Sequence, residues 1–274
     1  MFNLFRHEVT SRWTIILSWG IGLSLFASMY ISVYPTMAEQ MEGLAEIQFY
    51  RIMGFDLTSF AGYIASIVIQ VMPIILGVYV MEASTGTLAG EEASGTLELV
   101  VAMPLKRWQI VAMKAAALAV VLFLILVILG AGSALTLSLI SQTTEVDATP
   151  GQLFTALLNA YPMLLAFLGI GLFLGAFLPS RRIAVAFMVM IYLGSYLLNS
   201  ISNLADSLAF LKQFSLFAYV NTTVSVFTEG NPLGNVAVLL AVALIFFGLA
   251  LLAFERRSIT VGQWFWRRPR VPVR

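Results

Sequence analysis

The sequence predicts an all-α integral membrane protein with six transmembrane helices, an amphipathic surface helix at the amino terminus and a short helix on the inner side between the second and third spans. Three observations carry that prediction. Hydrophobic residues make up 60% of the chain and charged ones only 11%, less than half the share of a soluble domain. Six windows each hold about 20 predominantly apolar residues, enough to cross a hydrocarbon core about 30 Å thick. The basic residues are also sorted to alternate connections between those windows.

Ahead of the first window, Phe2, Phe5, Val9 and Trp13 recur at helical spacing, while Asn3, Arg6, His7, Glu8, Ser11 and Arg12 fill the other side. Residues 2–13 are therefore expected to lie as an amphipathic helix along the membrane surface. The spans are expected at about 15–34, 60–81, 115–140, 153–178, 183–203 and 235–254. The first is too long for a signal-peptide core and lacks a small-residue cleavage site, so it is expected to be retained. With both ends inside, thirteen lysines and arginines fall on the inner side and only Arg51 and Lys212 outside. This bias predicts a multi-pass protein of the cell membrane with both termini cytoplasmic. After the last span, Trp264, Phe265 and Trp266 precede a basic tail broken by Pro269 and Pro272, a pattern suited to lipid headgroups.

Within the spans the polar and small residues are patterned. Gly20, Ser24, Ser28 and Ser32 in the first, and Gly171 and Gly175 in the fourth, stand four apart and suit helix packing, within the chain or between two copies. Gln70 with Pro73, and Asn159 with Pro162, each join a polar group to a proline and predict kinks whose freed carbonyls need partners. In the fifth span Tyr192, Ser195, Tyr196, Asn199, Ser202 and Asn203 recur every three or four residues, a candidate pathway or dimer interface. Asparagines that hold helices together give the same pattern, so both readings stay open. No charged residue falls inside the windows as drawn, which counts against an ion-coupled carrier. Residues 204–234 are too apolar for a free loop and are expected to fold back into the outer leaflet.

The connection at 82–114 is longer than most helix–helix links and should carry structure of its own. A helix opening near Gly90 sets Glu91 and Glu92 in the first turn, against the positive end of the macrodipole, and Pro104 stops it. Ala93, Leu97, Val100 and Val101 share an apolar stripe, while Glu91, Gly95 and Glu98 share another face. Gly95 costs a helix interior about 1 kcal/mol relative to alanine, so it marks close backbone approach or a break. A solvated loop with incidental helicity is the alternative.

The run Gly86-Thr87-Leu88-Ala89-Gly90-Glu91-Glu92, with Gly95-Thr96-Leu97-Glu98-Leu99 and then Pro104-Leu105-Lys106-Arg107, resembles the signature between the second and third spans of the type-2 ABC transporter permeases. Six spans, the surface helix and the exit Phe254-Glu255-Arg256-Arg257 are similar to that family too. The likeness covers the whole chain in layout and this short stretch in motif. It implies a single permease domain over 1–274 with the type V exporter fold, working as a homodimer or with a paralogue. Each permease would rest on a separate ABC ATPase subunit that holds the ATP and magnesium. Residues 90–103 would then form a cytoplasmic coupling helix, with Gly90, Glu91, Glu92, Gly95, Thr96, Leu97, Glu98 and Pro104 at the contact.

The chain holds no G-x-x-x-x-G-K-[ST] phosphate loop, H-E-x-x-H pair or G-x-S-x-G elbow, so no catalytic residue and no cofactor of its own is expected. It has no cysteine, and its single histidine, His7, belongs to a solvated polar face, so no metal site is expected. A net charge of +1 argues against nucleic acid, which leaves membrane lipid and protein partners. Two rivals remain on the sequence alone: an ion-gradient-driven secondary transporter, for which no internal repeat is visible, and a non-transporting scaffold that recruits an ATPase.

Overall fold

The computed structural model describes residues 2–45, 59–87, 106–203 and 206–256. The expected coupling segment at 90–103 and the basic tail lie outside the described residues. Among the described residues all regular structure is helical. In order these are α1 (Phe2–Thr10), α2 (Trp13–Ala45), α3 (Phe60–Ile64), α4 (Val71–Thr85), α5 (Arg107–Ile140), α6 (Pro150–Leu158), α7 (Tyr161–Phe177), α8 (Arg181–Ser202) and α9 (Leu233–Arg256). Six stretches are long and apolar enough to span a membrane: Trp13–Thr36, Phe60–Thr85, Arg107–Ile140, Pro150–Phe177, Arg181–Ser202 and Leu233–Arg256.

The third span begins at Arg107 rather than at 115, because Gln109 caps it: the Lys106 amide donates to Gln109 Oε1 at 2.9 Å. This draws Lys114 inside the helix, a charge that hydropathy alone leaves out. Two spans are interrupted, both beside the prolines that predict it. The second passes from α3 to α4 through a π turn at Ala65–Ile69, where the Gln70 amide reaches back five residues to the Ala65 carbonyl at 3.0 Å. The fourth breaks at Asn159 and Ala160, between α6 and α7. Caps hold the other ends. Ser59 and Asp147 accept from the Gly62 and Ala61 amides at the start of α3, and Thr149 forms a reciprocal pair with Gln152 at the start of α6.

Small residues set the packing. Gly20 lies against Ile128, Ser24 against Gly132, and Ser28 Oγ meets Thr136 Oγ1 at 2.7 Å, so two four-residue ladders run side by side in the first and third spans. Ser32 is exposed. Gly171 accommodates Ser84, and a Cβ on Gly175 would stand 3.1 Å from the Thr85 carbonyl oxygen, which joins the second and fourth spans in the same manner. These two are 67% and 72% buried and form the centre of the bundle, whereas the sixth is 11% buried and faces outward. Because successive spans run in opposite directions, Arg6, Arg12, Lys106, Arg107, Lys114, Arg181, Arg182 and Arg256 gather at one end, and Lys212 stands at the other.

Gly132→Leu should strain the ladder by about 1–3 kcal/mol and lower the unfolding midpoint of the purified protein in detergent. Gly22→Leu, at a glycine facing open space, should leave that midpoint in place.

Candidate functional site

At the basic end one acidic side chain, Glu8, draws two cations together. α1 turns through Ser11 and Arg12 into the first span, with the Ser11 amide donating to the His7 carbonyl at 2.8 Å. Glu8 sits on this corner. One carboxylate oxygen accepts from Lys114 Nζ in the third span, and the other from the Arg12 guanidinium at 3.3 Å. Lys114 is 1% exposed, so the pair is buried. Burial by itself pushes the Glu8 carboxyl up; hydrogen bonds and charge from Lys114 and Arg12 outweigh it and hold the group below its ordinary 4.5. With the folded value depressed, the contribution of the pair is present above about pH 4.5 and is lost as the pH falls through that lower value. The second span joins the same corner. Tyr79 packs on Trp19 with ring centroids 5.8 Å apart, and its buried hydroxyl lies near Arg12.

Both roots of the connection between the second and third spans meet this corner: Lys114, which follows it, through the ion pair, and Tyr79, which precedes it, by packing on Trp19 beside Arg12. Gly90, Glu91, Glu92, Gly95, Thr96, Leu97, Glu98 and Pro104 lie outside the described residues. Nearby, Arg181 at the head of the fifth span bonds Glu82 at 3.3 Å, with side chains 45% and 74% exposed. Such a solvated pair contributes about 0–1 kcal/mol and orients more than it stabilises. A cavity of about 770 Å³ opens between these two spans, walled by Val78, Met81, Val185 and Val189 with Arg181 and Arg182 at its edge.

Towards the other end, aromatic rings cluster. Between the fifth and sixth spans, 3-10 turns at Asp206–Phe214, Leu216–Tyr219 and Val224–Phe227 carry the chain. Ser215 Oγ donates to the Ser195 carbonyl at 2.6 Å, and the Leu216 amide donates to Ser195 Oγ at 2.8 Å. Phe217 is thereby held 5.2 Å from Tyr192, 5.6 Å from Tyr196 and 5.8 Å from Phe167, centroid to centroid. Tyr192 is midway along α8, so the segment descends about half the bilayer thickness. The Tyr192 hydroxyl donates to the Pro73 carbonyl at 2.5 Å, and its ring lies over Gly77.

The polar stripe of the fifth span is thus divided between two environments. Tyr192, Ser195 and Tyr196 meet the chain's own descending segment, and Ser202 is buried and bonds back to the Asn199 carbonyl at 2.7 Å. Asn199 and Asn203 line a polar cavity of about 360 Å³ at the far end. Sequence reasoning missed the clasp of Glu8 with Arg12 and Lys114, and it counted Phe217 among the apolar residues that turn the segment inward without finding its ring partners. A lone acid within a basic amphipathic face was the available signal for the clasp.

A bundle of six apolar helices, charged on one end and entered by its own descending segment from the other, is a multi-pass membrane protein. The chain belongs to the family described as ABC-2 family transporter protein, whose model matches residues 2–259. It is a transmembrane component of an ABC transporter. Curated proteins provide no match.

Removing one partner from a buried ion pair weakens the neutralisation of the charge that stays, by up to roughly 3–5 kcal/mol. Glu8→Ala should therefore lower the unfolding midpoint at pH 7, and Glu8→Leu combined with Lys114→Met should recover most of the loss. Wild-type and Glu8→Ala midpoints should converge as the pH is taken well below 4.5.

Proposed function

We propose that this chain is the permease subunit of an ATP-driven exporter, paired with a second copy or a paralogue, each permease seated on a separate ABC ATPase subunit. The basic end faces the cytoplasm, as the positive-inside bias favours. Residues 90–103 form the coupling helix on which the ATPase acts, and ATP and magnesium stay in that partner. The carrying observation is the clasp. Glu8, Arg12 and Lys114, with Tyr79 beside them, tie both roots of the coupling connection to the amino-terminal corner. A displacement of that connection therefore moves the first three spans together.

The route onward follows contacts between packed side chains. Movement of α4 carries Pro73 and Gly77, both in contact with Tyr192, and Tyr192 in turn supports Phe217. Tilting the second span against the fifth withdraws the aromatic seal, and relaxation restores it, which is alternation by rigid helix shifts. The fifth-span stripe forms the wall along which cargo passes once Phe217 leaves.

Glu92→Lys with Glu98→Lys should abolish co-purification with the ABC ATPase and ATP-dependent transport in reconstituted vesicles, while the unfolding midpoint stays unchanged. Retention of the ATPase with transport intact removes the coupling assignment. Transport that persists without any ATPase favours a gradient-driven carrier instead.

A further inference from the structure

The cavity of about 360 Å³ at the far end is built from two sets of polar groups with different fates. One set is committed to the fold. Asn221 Nδ2 donates to Ser225 Oγ and to the Gly230 carbonyl, both at 2.9 Å, while its Oδ1 accepts from the Thr223 amide at 3.1 Å and hydroxyl at 2.7 Å. Asn231 Oδ1 accepts from the Asn221 amide at 2.5 Å, and its Nδ2 donates to the Asn159 carbonyl at 2.8 Å. Gly230 makes the turn between them with φ at +66°, a conformation suited to glycine. These bonds fix the wall against the break in the fourth span.

The other set is unspent. Asn199, Asn203 and Asn235 line the same cavity, and their side-chain amides have no hydrogen bond among the described residues. Lys212 and Glu229 line it too, carrying opposite charges, yet no ion pair joins them to each other or to another described residue. Both side chains are exposed at the rim, so the two opposite charges border one small cavity without pairing. A simple anion there would meet the Glu229 carboxylate, and a simple cation the Lys212 ammonium. A solute that carries both charges satisfies both, and the three amides match the polar atoms between them.

We propose that this cavity is a binding site for a zwitterion, with a primary ammonium at Glu229, an anionic oxygen at Lys212, and the amides of Asn199, Asn203 and Asn235 around the link. Its volume lies within the range of small-ligand sites. The cavity is bounded below by Phe217, so an occupant rests immediately beyond the seal. Its position at the far ends of the fifth and sixth spans opens it both to water and to the headgroup layer, and an aminophospholipid headgroup and a free solute present the same chemistry. A role as cargo site rests on the exporter reading, but occupancy does not, so a binding measurement separates the two.

The experiment uses the full chain, purified in phospholipid-free detergent, with binding followed by calorimetry. The free probe is glycerophosphoethanolamine and the lipid probe is phosphatidylethanolamine in nanodiscs; glycerol phosphate and phosphatidylglycerol are the anionic controls. At least one zwitterionic probe should bind, and which one identifies the source. Lys212→Ala and Glu229→Ala should each weaken binding about tenfold or more without moving the unfolding midpoint. The charge-exchanged protein, Lys212→Glu with Glu229→Lys, should regain most of the affinity, which a merely structural role does not predict. Absence of binding by both zwitterions, equal binding of the anionic controls, or affinities unmoved in the alanine variants would overturn the proposal.

Discussion

An ammonium that is 1% exposed inside a membrane protein has to be neutralised by nearby groups, and α1 brings a carboxylate, that of Glu8, to Lys114. Much of the basic end depends on that constraint. For Glu8 to reach Lys114, α1 has to dock against the third span, which fixes the turn at Ser11 and Arg12 and sets the entry of the first span. Arg12, brought along by the same turn, shares the Glu8 carboxylate and lies over Tyr79. Three spans that pack mainly through apolar and small side chains thus acquire one charged tie.

The remainder of the bundle is held by close approach. Hydrophobic burial gives little preference between helix contacts and lipid contacts, so register is set by shape: the paired ladders of the first and third spans, and the glycines of the fourth against Ser84 and Thr85. The interruptions in the second and fourth spans are gripped from outside close to where they occur. Asn231 returns from the descending segment to bond the Asn159 carbonyl where the fourth span breaks. The Tyr192 hydroxyl bonds the Pro73 carbonyl just after the π turn of the second. Each irregular point is therefore a junction with another part of the chain.

Six apolar windows and two proline-marked irregularities were legible because hydropathy and proline act locally. The tie between Glu8 and Lys114 was not, since the two are separated by 106 positions and Glu8 by itself reads as one more polar residue on an amphipathic face. The start of the third span was misread for a related reason: a hydropathy window discounts Lys114, whereas the helix includes it once the charge is met. The fifth-span stripe was visible as a pattern, but its division was not. The same three-to-four spacing serves Tyr192 and Ser195 against Phe217 and its neighbours, and Asn199 and Asn203 against an open cavity. What distinguishes them is the depth to which the following segment descends, a property of the tertiary fold.

That descent also bears on biogenesis. The rings gathered around Phe217 come from the fourth span, the fifth span and the stretch synthesised after it, so a nascent polypeptide halted at its fifth crossing lacks the ring at their centre. Assembly of this cluster is therefore among the last events of synthesis, and it requires the segment after the fifth span to fold back along it. An intermediate halted there would leave the Tyr192 and Phe167 rings without the third ring they pack on.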